Sequence, residues 1–143
     1  MEIKQVSIFI ENKKGRLADV TKTLADNGIN IRALSLAETT DFGILRLIVN
    51  DPDRCQQVLS DAGFSARETE VIAVEVPDTP GGLADVLAVF DKAGINVEYM
   101  YAFVEKSQDN AVVIFRIDEQ GAAVEALDAA GMRIVSDDVL KKL

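Results

Sequence analysis

The residues of this chain whose types and spacing suit binding chemistry stand at two glycine turns. Gly15-Arg16-Leu17-Ala18-Asp19-Val20 recurs as Gly81-Gly82-Leu83-Ala84-Asp85-Val86, and each run opens a stretch with apolar residues at helical spacing. The first turn of a helix has backbone N–H groups without partners and a partial positive charge, so it favours an anion. Glycine has no Cβ, and a ligand can approach its backbone closely. To these turns the sequence adds Asn12, Asn30 and Asn96, whose carboxamides donate and accept hydrogen bonds, and Asp78, a carboxylate able to pair with an ammonium. Arg16 has Gly82 at its matching position, so it either meets a ligand carboxylate or is simply solvated.

Covalent and acid–base chemistry is poorly provided for. The chain has no histidine, which removes histidine general bases, Ser-His-Asp and Cys-His arrangements and histidine metal ligands. Its one cysteine, Cys55, falls on an expected helix and reads as an inert thiol; it permits no intrachain disulfide, which suits a reducing compartment. No phosphate-binding Gly-x-x-x-x-Gly-Lys loop occurs. Neither enzymatic activity nor a cofactor or metal is expected.

The elements that must position the two turns repeat with them. Gly28-Ile29-Asn30-Ile31 recurs as Gly94-Ile95-Asn96-Val97, at the same offset of 66 that relates Gly15 to Gly81. The first copy reads as a strand over 6–10, a helix over 17–27 stopped by Gly28, strands over 29–37 and 42–49, a helix opened by Asp51-Pro52-Asp53 and stopped near Gly63, and a strand over 64–69. The second reads as strands over 71–76, 95–104, 111–117 and 132–135, with helices carrying Leu83, Val86, Leu87 and Phe90 and spanning 120–130. A turn over 105–110 is two residues longer than its counterpart, and 137–143 forms a tail of about one helical turn.

Strand, helix, strand, strand, helix, strand, twice over, specifies an α+β fold. It comprises two ferredoxin-like βαββαβ units in tandem, residues 1–70 and 71–143, with antiparallel sheets and helices on one face. By simple alternation, Ile29 and Ile31 should face the helices and Leu34 and Leu36 should face away, as should Met100 and Val104. Such an apolar stripe marks an interface, so the two units are expected to pack together and two chains to pair. Tyr99 and Tyr101 share a strand face where the first copy has Ala33 and Ser35; they line a pocket or fill an interface.

A net charge of −9, with no basic run, argues against nucleic acid and against an anionic membrane surface. Nothing resembling a signal segment opens the chain, and no apolar run nears the ~20 residues of a membrane helix. A cytoplasmic location is the expectation.

The strand, the turn of the form Asn-x-x-Gly-x-Leu, the helix and the Gly-Ile-Asn-Ile segment resemble the ACT domain family of ligand-binding regulatory modules. Asn12, Gly15, Leu17 and residues 28–31 carry the resemblance in the first copy. Asp78, Gly81, Leu83 and residues 94–97 carry it in the second. The resemblance covers the chain apart from its tail and implies a tandem ACT protein with no catalytic domain attached. It further implies that an amino acid or related metabolite binds between paired domains and that its level is reported to a regulated enzyme. Family contacts carried over by position are Asn12, Gly15 and Asn30, then Asp78, Gly81 and Asn96. Arg16, Leu17, Ile31, Gly82, Leu83, Val97, Tyr99 and Tyr101 complete the candidate site. Asp78 in place of Asn12 makes the two sites inequivalent. The rival readings are a ligand-free interaction or oligomerisation module and, more remotely, a small enzyme using acids and tyrosines.

Overall fold

The computed structural model describes residues 3–103, 107 and 109–142. The chain divides into two compact units: residues 4–69, and residues 70–142 together with Ile3.

The first unit contains β1 (Ile3–Glu11), α1 (Arg16–Asp26), β2 (Ile31–Glu38), β3 (Phe42–Val49), α2 (Pro52–Asp61) and the start of β4 (Ser65–Pro77). Its antiparallel strands run in the order β2-β3-β1-β4. Val20 and Leu24 of α1 and Cys55 and Leu59 of α2 close over Val6, Ile8, Ile10, Leu45, Leu47 and Val49 to form the core. Asp51 starts α2 by accepting a hydrogen bond from the Arg54 N–H at 3.2 Å, with Pro52 in the first turn, where its missing N–H costs nothing.

The second unit takes the rest of β4, then α3 (Gly82–Lys92), β5 (Val97–Ala102), β6 (Asn110–Ile117), α4 (Gln120–Ala129), β7 (Ile134–Val135) and the short α5 (Asp137–Lys142). Its strand order is β5-β6-β4-β7. Phe90 of α3 meets Phe115 of β6 edge to face, with ring centroids 5.2 Å apart, at the centre of a core that includes Val86, Ile117 and Leu127. Both units are βαββαβ, with an antiparallel sheet and helices on one side. The elements correspond at an offset of 66 up to the hairpin (Arg16 with Gly82) and of 68 after it (Phe42 with Asn110). Among the described residues, no helix is long and apolar enough to cross a membrane.

Two expectations are corrected. The strands expected over 64–69 and 71–76 are one continuous strand, β4, because nothing breaks extended backbone before Pro77. The expected facing of Leu34, Leu36 and Met100 is reversed. In β2 the register slips between Ile31, opposite Val49, and Ala33, opposite Ile48, leaving Arg32 as an extra residue. Such a bulge inverts the alternation beyond it. Leu34 and Leu36 therefore pair with Leu47 and Leu45, on the helix-covered side. They remain 50% and 48% exposed because β2 lies at the end of its unit's strand order, beyond the helix cover. The same slip between Val97 and Tyr99 in β5 sets Met100 opposite the core residue Phe115. Val104, most of the expected 105–110 turn and Leu143 lie outside the described residues.

Candidate functional site

Each glycine turn forms as its residue type requires. Gly15 precedes α1 with φ 84° and Gly81 precedes α3 with φ 88°, the left-handed region that penalises any side chain. Neither helix has a side-chain cap. Gly82 has a different constraint: a Cβ there would collide with the carbonyl oxygen of Pro77.

In the first unit a cavity of about 50 Å³ opens beside the turn, lined by Asn12, Arg16 and Leu17 together with Leu36, Glu38 and Gly43. The Asn12 carboxamide donates to the Thr39 and Thr40 carbonyls, each at 3.4 Å, and its N–H donates to the Asp41 carbonyl at 2.9 Å. It thus ties the β1–α1 turn to the β2–β3 hairpin. The Arg16 guanidinium lies over the Phe64 ring, 5.3 Å from its centroid, and one of its terminal nitrogens is 3.8 Å from the Asp19 carboxylate. Its Nε is buried and receives no hydrogen-bond partner. Lys13 pairs with Glu11 at 2.8 Å, and this hydrogen bond and charge hold the Glu11 carboxyl below its ordinary range.

Asn30 and Ile31 are not brought to this cavity. They follow the C-terminal end of α1, about 16 Å from the turn at ~1.5 Å per residue. The Asn30 N–H donates to the Asn50 side-chain oxygen at 2.9 Å, while its carbonyl accepts from the Asn50 N–H at 3.2 Å. Ile31 packs on the core. The second unit repeats this arrangement: the Asn96 N–H donates to the Asp118 carboxylate at 3.3 Å, and Val97 and Leu83 pack on the core. Asn50 and Asp118, matched at the 68 offset, were missed by sequence reasoning; alignment across the longer hairpin is the signal that finds them.

Asp78 is exposed in the β4–α3 connection. Tyr99 and Tyr101 lie opposite Arg116 and Ile114, on the sheet side away from the helices, with Tyr101 buried. Beside Gly82, a cleft of about 410 Å³ is lined by Glu75, Pro77, Asp85, Val86, Asn110, Met132 and Arg133. The Glu75 side chain is only 6% exposed, whereas that of Arg133 is 61% exposed. Glu75 Oε1 accepts from the Asn110 carboxamide at 2.9 Å, and Oε2 lies 3.2 Å from Arg133 Nε. The main chains also join here, the Glu75 N–H donating to the Arg133 carbonyl at 2.9 Å. Glu75, Asn110 and Arg133 also escaped sequence reasoning. The available signal was Glu75 itself, a charge inside the apolar run Val71-Ile72-Ala73-Val74-Glu75-Val76. Charged residues so placed are almost always paired. Among the described residues, no group of three or more acidic or cysteine side chains is arranged to hold a metal.

A family model described as the ACT domain pair matches residues 1–143. Among solved structures, protein BT0572 from Bacteroides thetaiotaomicron is 41% identical, with a TM-score of 0.93, over 100% of this chain and 98% of its own. The regulatory subunit of aspartate kinase from Thermus flavus shares the fold at 16% identity and a TM-score of 0.63, over 92% of this chain and 94% of its own. That from Thermus thermophilus, ligand free, does so at 20% identity and 0.63, over 89% and 91%. No curated protein sequence matches the chain. With the repeated glycine turns, the paired βαββαβ units and a family match over every residue, the chain belongs to the ACT domain pair family, a regulatory and not a catalytic one.

Proposed function

We propose that this protein is a regulatory sensor that binds an amino acid or a closely related metabolite beside its glycine turns, pairs with a second copy of itself, and passes the signal to a regulated enzyme. One observation carries the reading. In each unit a left-handed glycine opens a helix without a side-chain cap, and a cavity lined by polar side chains lies next to it. Charge-assisted hydrogen bonds contribute roughly 1.5–3 kcal/mol each, so two or three of them support micromolar binding. Binding regulates by stabilising whichever conformation holds the ligand better.

A thermal-shift screen against all the common amino acids, followed by calorimetry on any hit, tests the reading. A ligand that binds only the folded chain raises Tm progressively with its concentration. Flat responses throughout would remove the sensor reading and favour a ligand-free interaction module. That second reading has its own support in Phe9, Leu34, Leu36 and Phe42, all about half exposed on the first unit.

A further inference from the structure

The helix layers of the two units match in position and differ in chemistry. In the first unit the exposed side of α1 and α2 is polar. Lys22 pairs with Asp26 at 3.1 Å, the Gln57 carboxamide donates to Asp61 at 2.9 Å, and the Arg54 guanidinium donates to the Asn27 carbonyl. At the matching positions of the second unit Ala88 replaces Lys22, Ala93 replaces Asn27, Ala122 replaces Arg54 and Ala129 replaces Asp61. Here a groove of about 370 Å³ is lined by Val89, Lys92 and Ala93 of the α3 end and Ala126, Ala129 and Ala130 of the α4 end. Of these six, only Lys92 has a polar side chain, so the groove lacks the convergent polar groups that fix a small molecule. Small side chains on adjacent helices instead let a further helix approach closely.

Charge is divided between the units as unevenly. Residues 4–69 contain nine acidic and nine basic residues and are formally neutral. Residues 70–143 contain fourteen acidic and six basic residues, so nearly all of the net charge of −9 lies there. Asp85 and Asp91 on α3 and Glu125 and Asp128 on α4 are exposed, and among the described residues none of the four is ion-paired. Unpaired carboxylates around an apolar groove attract a cationic partner and disfavour a second copy of the same acidic unit.

We propose that the groove between α3 and α4 is the docking surface for the regulated partner, which lays a basic amphipathic helix on it, with apolar residues against Ala93, Ala126 and Ala129 and Lys or Arg toward the flanking carboxylates. α3 has 11 residues, so at ~1.5 Å per residue it matches about three turns of the partner helix. Apolar contact supplies the affinity, and the carboxylates supply attraction and orientation. The first unit, with Lys22 and Arg54 exposed at the matching positions, repels such a helix. The surface rests on the reading of this chain as a regulator of another protein and adds where that protein is held.

Fluorescence anisotropy on the full chain tests it, with a synthetic stapled helix of about three turns that carries Leu on one face and Lys on the other. Saturable binding is expected, with NMR shift changes confined to α3 and α4. The same peptide with Glu for Lys should bind at least ~10-fold more weakly. Ala129→Lys and Ala93→Lys, at exposed positions where lysine suits a helix, should each weaken binding of the Lys peptide at least ~10-fold. Asp61→Lys, at the position in the first unit that matches Ala129, changes the charge more and should alter binding less than ~2-fold. No binding, equal affinity for the two peptides, shift changes outside α3 and α4, or unaltered affinity in both alanine variants overturns the surface. Sedimentation of the free chain decides the other occupant: an assembly that Ala129→Lys dissociates gives this face to a second copy and likewise overturns the proposal. The amino-acid screen is independent of these outcomes. A thermal shift with failed docking removes only the surface, whereas docking with a flat screen removes the sensor and leaves the surface.

Discussion

The α-carbon of Gly82 lies so close to the carbonyl oxygen of Pro77 that no side chain fits between them. Gly81, its neighbour, has open space around a built Cβ but a φ of 88°. Adjacent glycines are thus required for different reasons, one steric and one conformational. Gly82→Ala should destabilise the fold by about 2–3 kcal/mol through overpacking against backbone that cannot yield. Gly81→Ala should cost about 1–2 kcal/mol, the ordinary penalty of a left-handed residue. Urea unfolding midpoints at unchanged slope measure both, and equal costs would contradict the distinction.

Asn50 and Asp118 hold the Gly-Ile-Asn segments through the main-chain N–H groups of Asn30 and Asn96. Asn50→Ala should therefore cost about 1 kcal/mol by stripping the Asn30 N–H of its acceptor. Asn30→Ala, which retains those main-chain bonds, should cost less than about 0.5 kcal/mol. Denaturant titration of the two variants side by side decides the order.

The Arg16 guanidinium over Phe64 combines a cation–π contact with a partly buried stem. Arg16→Ala should lower stability by about 1 kcal/mol, and Arg16→Lys should recover only part of it, because an ammonium lacks the planar face that stacks. Full recovery by lysine in a urea melt would show that charge alone matters.

Burial pushes the Cys55 thiol up to about 12 from its ordinary 9.0, with the Asp51 and Glu68 charges adding to the effect. The folded state therefore holds this proton more tightly than the unfolded state. The resulting stability is complete below pH 9, declines as the pH rises above it, and is gone beyond the folded value near 12. At pH 8 the thiol should react with a disulfide reagent only upon unfolding, giving a labelling rate that rises with urea. Rapid stoichiometric labelling without denaturant would contradict its burial.

Residue order alone revealed the duplication, the element sequence of each copy and the two glycine turns. These are local or repetitive signals: helical spacing, stop glycines, and identical residues at a constant offset. The mutual facing of strands was legible only up to Arg32 and Glu98. One extra residue on an edge strand reverses every side chain beyond it, and no local preference announces the slip. The cleft in the second unit was less visible still. Glu75 and Arg133 stand far apart in the chain and meet because β4 pairs with β7, and the cleft they line lies beside Gly82, where the first copy has Arg16. Such a site depends on pairing between distant segments and on the volume left beside them, both of which arise only when the chain has closed on itself.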